Sequence, residues 1–174
     1  MSRLLLVLAL LAASTGYAAE KPRDPGQFFF NDSFWDFSEE LQTARATGKK
    51  GILIMFEMDE CPFCHRMKST ILNQPDVQAY FRENFLIFPV DIEGDVELTD
   101  FEGRVTTMKD FAFKQYRVRA TPVFAFFDLD GNYIKRARFT GAARDKDEFM
   151  MLGRYVVDEA YKQETFTRYK RAAR

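Results

Sequence analysis

Two cysteines are all that the 174-residue chain contains, and they lie three positions apart, at Cys61 and Cys64. A loop that short staples almost no chain, so the fold is not held by a disulfide framework of the kind small secreted proteins use. Neither thiol has a partner elsewhere, and the pair is either the chemistry of the protein or a local lock. Histidine is scarcer still, with His65 the only one. A zinc site of Cys61, Cys64 and His65 therefore has no fourth Cys or His ligand, and no metal is expected. Excess charge is missing too: 25 Lys and Arg stand against 26 Asp and Glu. That balance removes the electrostatic case for binding nucleic acid or an anionic membrane surface. Internal repeats and low-complexity segments are absent, and the longest apolar run, Leu4 to Ala13, is too short to cross a bilayer.

What that run does fit is an export signal. Arg3 precedes it, and small residues follow to a cleavage point near Ala18, after Gly16 and Tyr17. Residues 1–18 are expected to be removed and the protein to be periplasmic. Removal takes Arg3 away, so the formal net charge moves from −1 to −2. The remainder is the size of one domain, and a monomer is the default expectation. Nineteen Phe and seven Tyr provide ample volume for a core.

Along the chain, residues 19–32 read as a flexible lead-in because of Pro22, Pro25 and Gly26, with Phe28, Phe29 and Phe30 forming a patch packed on the domain. Residues 33–164 are the expected domain and 165–174 a basic, solvated tail. From Ser33 to about Thr47, Phe34, Phe37, Leu41 and Ala44 recur at helical spacing, and Gly48 stops the pattern. Ile52 to Phe56 reads as a buried strand. Pro62 suits the first position of a helix, since it has no N–H to lose and its φ is already helical; that helix runs to about Asn73. A further helix covers Asp76 to Glu83, and a strand Phe85 to Val90. Ile92 to Thr106 is a polar, acidic connection, and Asp91, Glu93, Asp95, Glu97, Asp100 and Glu102 are expected to face water. Thr107 caps a helix to Tyr116. Val123 to Phe127 and Tyr133 to Phe139 read as strands joined by the turn Asp128-Leu-Asp-Gly-Asn132. A last helix starts near Asp145, with Phe149, Leu152, Val156 and Ala160 on one face.

A cysteine at a helix N-terminus meets unpaired N–H groups and the positive end of the dipole, both of which favour a thiolate. Cys61 at the cap is expected to be exposed and nucleophilic, and Cys64, one turn in, to be more buried and to resolve the mixed disulfide. Pro62, Phe63, His65 and Arg66 can modulate the pair, while Asp59 and Glu60 oppose the thiolate. At long range, Thr121-Pro122 lies just before a strand, where a cis peptide is feasible. Thr121 and Pro122 are the expected docking edge for an extended peptide beside Cys61.

Taken together, strand–Cys-Pro-Phe-Cys–helix, Ala120-Thr121-Pro122 before a hairpin and a closing helix resemble the thioredoxin superfamily. Met55-Phe-Glu57 before the dithiol, the acidic Asp91 to Thr106 insertion and Arg119 to Asp128 are similar to SoxW-like thioredoxin-related proteins. The resemblance covers about Phe34 to Ala160. It implies an α/β thioredoxin fold: a mixed central sheet flanked by helices, with a C-terminal β-hairpin and closing helix. It also implies a periplasmic thiol–disulfide oxidoreductase without a bound cofactor. Such a protein acts on protein disulfides and is kept reduced by a membrane-embedded thiol electron donor. Cys61 would be the nucleophile, Cys64 the resolving thiol and Pro122 the cis proline. Two departures stand out. Thioredoxin has Trp where this chain has Glu60, and its buried Asp corresponds by counting to Met55. Glu57 is the nearest carboxylate to take that proton-accepting role, or else it is a solvated strand end.

Other readings use the same residues. A disulfide-donating oxidase of the same fold reverses the electron flow. Cys61-x-x-Cys64-His65 also matches the pattern for c-type haem attachment, with seven Met as possible sixth ligands. A fourth reading is a non-catalytic binder that uses the Thr121-Pro122 edge.

Overall fold

A computed structural model describes residues 21–172, so the expected export signal at 1–18 lies outside the described residues. The first ordered turn is α1 (Pro25–Phe28), followed by α2 (Phe37–Ala46) and the strand β1 (Gly51–Glu57). The dithiol helix α3 (Pro62–Thr70) leads to α4 (Pro75–Asn84) and β2 (Phe85–Asp91). A small hairpin, β3 (Glu97–Thr99) and β4 (Val105–Thr107), precedes α5 (Met108–Asp110), which continues as a π-helical turn over Phe111–Gln115. The chain closes with β5 (Val123–Phe127), β6 (Phe139–Thr140), α6 (Lys146–Val157) and α7 (Phe166–Ala172).

The main sheet has the order β2-β1-β5-β6, with β1 parallel to β2 and antiparallel to β5. This is the mixed α/β sheet flanked by helices that the sequence leads one to expect. Because β1 is central and covered on both faces, Gly51 to Phe56 are all buried, which is why the strand reads as an unbroken apolar run. Leu53 and Met55 point to one core with Phe124, Phe126, Phe81, Phe149 and Tyr155. Ile52, Ile54 and Phe56 point to the other, with Phe37, Phe88 and Phe111. Gly51 is required at the start of β1, since a Cβ there would lie 2.1 Å from the Phe127 carbonyl oxygen.

Several expectations need correction. Residues 19–32 do not behave as a flexible lead-in where they are described. Phe29 and Phe30 are buried in the first core, and the Asn31 N–H donates to the Ile87 carbonyl oxygen at 2.8 Å. The first long helix does not begin at Ser33. The Asp36 carboxylate accepts from the N–H groups of Ser38 and Glu39 and so starts α2 at Phe37. Phe34, placed by periodicity on the buried face, is instead fully exposed. Next to it Trp35 holds φ at 64°, a left-handed backbone that costs a bulky residue roughly 1–3 kcal/mol. The second strand pair is interrupted: Tyr133 makes a single bridge to Phe127, a 3₁₀ turn covers Lys135–Ala137, and only Phe139–Thr140 forms β6. The closing helix ends at Val157, and the basic tail folds back as α7. There Phe166 and Tyr169 pack on Tyr155, and Lys170 pairs with Glu148 at 2.5 Å.

The acidic connection contains the hairpin β3–β4, and Asp100 at its turn is buried rather than solvated, with 1% exposure. Its carboxylate accepts from the N–H groups of Glu102 and Arg104, the Arg104 guanidinium and the Gln115 amide, all within 3.0 Å. Burial acts to raise its pKa, but these donors outweigh it and hold the carboxyl below its ordinary value. A lowered folded pKa means stability that is present above the unfolded value and lost as pH falls through the folded one. Replacing Asp100 with Asn is therefore expected to cost about 2 kcal/mol at neutral pH. In urea melts from pH 7 to pH 2, the gap between the two proteins should narrow below about pH 4. A gap that stays constant with pH would show that the charge does not matter.

Candidate functional site

Cys61 leaves β1 by a short turn and takes an extended conformation, φ −124° and ψ 96°, as the cap of α3. Pro62 follows at the first helical position, as its fixed φ and missing N–H suit. The Cys61 sulfur accepts from the Cys64 N–H at 3.0 Å, and its carbonyl accepts from the His65 N–H at 3.0 Å. The two sulfurs are joined in a disulfide of 2.07 Å across 5.2 Å between Cα atoms. The expected asymmetry in exposure is not there: Cys61 is 5% and Cys64 3% exposed. Cys61 is covered because β5 begins beside it. The Thr121 hydroxyl donates to the Cys61 sulfur at 3.2 Å. The helix geometry and this hydroxyl together supply two donors to one sulfur, the arrangement that stabilises a thiolate once the disulfide opens.

The register of the sheet makes this meeting possible. Val123 pairs with Phe56 across the antiparallel β1–β5 ladder, so the residues just beyond each strand face each other. The Thr121–Pro122 peptide bond is cis, and the Pro122 carbonyl is held by the Gly141 N–H at 2.8 Å. Among the described residues, the Thr121 N–H and C=O carry no backbone hydrogen bond, which leaves both open to an incoming chain. Phe63, 57% exposed, and the exposed His65 stand on the rim.

The remaining sequence candidates divide. Glu57 ends β1 as more than a solvated strand end: with its side chain 16% exposed, one carboxylate oxygen accepts from the Lys68 ammonium at 2.8 Å, while the other is buried 2.7 Å from that ammonium and has no hydrogen-bond partner among the described residues. Arg66 does not serve the dithiol, because its guanidinium binds the carbonyls of Ala143 and Arg144 and so ties α3 to the loop before α6. Asp59 and Glu60 are exposed beside the pair. Among the described residues no group of three or more His, Cys, Asp or Glu is placed to hold a metal ion. Sequence reasoning missed Lys68 as the partner of Glu57 and Met67 as an acceptor, through sulfur, for the Ala143 N–H. Both contacts cross between elements, and neither residue type carries a signal for them.

The comparisons with known proteins agree with this architecture. Residues 37–156 match the thioredoxin-like domain family. A thioredoxin-fold protein from Helicobacter pylori is 21% identical with a TM-score of 0.58, over 72% of this chain and 82% of that one. A thioredoxin from Thermus thermophilus is 25% identical with a TM-score of 0.54, over 71% and 85%. A DsbH oxidoreductase is 18% identical with a TM-score of 0.54, over 86% and 96%. No curated protein sequence matches the chain. The chain belongs to the thioredoxin-like domain family.

Proposed function

We propose that the protein is an exported thiol–disulfide oxidoreductase that reduces disulfides of periplasmic proteins. The observation that carries this reading is the Cys61–Cys64 pair at the start of α3, with the Thr121 hydroxyl on the Cys61 sulfur. In the reduced protein, the Cys61 thiolate attacks one sulfur of the substrate disulfide and expels the other as a thiolate, which takes up a proton. The Cys64 thiol, after losing its proton, attacks the Cys61 sulfur of the mixed disulfide. Two electrons pass to the substrate, which leaves as a dithiol, and Cys61–Cys64 closes. The open backbone groups of Thr121 hold the substrate as an extended strand during both steps.

Reopening the pair needs a dithiol donor, and a membrane-embedded thiol carrier fits an exported protein. Export itself rests on the pattern of Arg3, Leu4 to Ala13 and Ala18. A SoxW-like role is supported by Met55-Phe-Glu57 and by Arg119 to Asp128. The haem alternative is less well served, since nothing in it calls for the mixed sheet or for Thr121 beside Cys61, both of which the thioredoxin-like reading uses.

The test is the redox equilibrium of the mature protein in graded thiol buffers, read by alkylation. A reversible two-electron transition near the thioredoxin range, roughly −270 mV, is the expected result. A value near −120 mV would reverse the direction to that of an oxidase. Absence of any reversible transition would overturn the redox reading itself.

A further inference from the structure

An irregular stretch of chain leads to the docking edge at Thr121. Phe111–Gln115 forms the π-helical turn, and Arg117 follows with a left-handed φ of 52°. Val118 then turns inward, 1% exposed, and its N–H donates to the Ala112 carbonyl at 3.0 Å. With Val118 inside, its neighbours Arg117 and Arg119 point outward, and both are exposed. Arg119 stands two residues before Thr121, so the two backbones are at most about 7 Å apart. Its guanidinium lies 5.3 Å over the ring of Phe113, itself 51% exposed. That contact restrains a long side chain beside the edge without neutralising its charge.

No ion pair among the described residues engages Arg117 or Arg119. Other basic groups nearby are committed. Lys114 pairs with Asp110 and Arg144 with Asp145, each at 2.7 Å, and Arg66 is held by the carbonyls of Ala143 and Arg144. Asp59 and Glu60, on the turn into Cys61, are exposed and also without an ion pair among the described residues. Charge is thus segregated about the dithiol, with carboxylates on the Cys61 side and guanidiniums on the Thr121 side. An extended chain docked on the open N–H and C=O of Thr121 runs along residues 119–121. A side chain close to its cysteine is then brought to the Arg119 guanidinium.

We propose that Arg119 selects the substrate: the edge favours disulfides with Asp or Glu beside the attacked cysteine and disfavours those with Lys or Arg there. A carboxylate can meet the guanidinium through two parallel N–H···O bonds, which an ammonium cannot make. The selectivity rests on the oxidoreductase reading above and adds a substrate class to it. A charge on His65, at the rim, would reinforce the preference. Asp59 and Glu60 act against it, so its size measures how closely the docked chain follows Arg119.

Three peptides test this, alike except for Glu, Gln or Lys on both sides of a single cysteine that is joined by a disulfide to 2-mercaptoethanol. The reduced mature protein is mixed with each at low salt, and the second-order rate constant for release of the peptide thiol is measured. Rates are normalised to the Gln peptide, so a general loss in a variant does not mimic lost selectivity. Comparing variant with wild type on one peptide cancels the effect of the flanking charge on the cysteine's own reactivity. Glu is expected to be favoured over Lys about tenfold, an advantage that high salt removes. In Arg119→Gln the ratio is expected to fall to within about twofold, and in Arg119→Glu to invert. Equal rates for the Glu and Lys peptides, or a ratio unchanged in Arg119→Gln whether or not His65→Gln removes it, would overturn the selectivity and leave the redox reading in place. Release from none of the peptides would instead overturn the redox reading, and the selectivity with it.

Discussion

Serine in place of Cys61 is expected to abolish reduction of a protein disulfide, a loss of roughly a thousandfold or more, because no other thiol can open the substrate bond from that position. Cys64 is held one turn into α3, 3% exposed. In the intact protein its backbone N–H donates to the Cys61 sulfur. It is placed to finish the reaction and not to begin it. Cys64→Ser should therefore behave differently: the first attack proceeds, and the mixed disulfide with substrate persists, visible as a covalent adduct on non-reducing gels. The pair of variants separates the roles in a way that either alone does not. If Cys61→Ser retained activity, or if Cys64→Ser gave no adduct while Cys61→Ser did, the assignment of nucleophile and resolving thiol would be wrong. Loss of function in neither variant would favour a binder that uses the Thr121–Pro122 edge.

The largest stability effect is expected at Phe149. Its ring is fully buried, stacked on Phe81 at 4.5 Å with 17° between planes, and edge-on to Phe124 at 4.8 Å. Phe29 adds a third contact at 6.3 Å, tying the N-terminal segment to α6. Truncation to Ala leaves a cavity where helix, sheet and N-terminal segment meet, at a cost of about 3–5 kcal/mol. For a domain of this size the melting temperature should fall by roughly 10 °C. Phe34→Ala is the control, since the ring is fully exposed and its loss should stay within about 0.5 kcal/mol. Comparable losses at both positions would refute the placement of these two rings.

That contrast also marks how far the sequence carries. Phe34 and Phe149 look alike in a helical pattern, but the Asp36 carboxylate starts the helix three residues after Phe34, and spacing alone does not see a cap that competes with periodicity. Asp100 is a similar case. An acidic residue in a polar stretch reads as solvated, and only the pairing of β3 with β4 brings Arg104 and Gln115 around it. The hairpin after β5 was legible as a turn, because Asp128 and Gly131 carry the chemistry of one. Its second strand was not, because the chain leaves the sheet into a 3₁₀ turn to bury Ile134 and Ala137 under α6.

Local chemistry was determined by the sequence by itself. Two cysteines with a proline between them at a strand–helix junction define a dithiol at a helix cap, since capping, proline geometry and the dipole act within a few residues. The unbroken run from Gly51 to Phe56 likewise announces a central strand covered on both faces. The tertiary structure alone decided what lies across from those residues. Thr121 reaches the Cys61 sulfur through the register of β1 against β5, 60 positions away in the chain. Glu57 is taken by Lys68 because α3 packs over the end of β1. Trp35 takes its left-handed turn because it is held between Ser33 and Thr99. Such contacts depend on register and packing, which are properties of the assembled sheet and not of any segment in it.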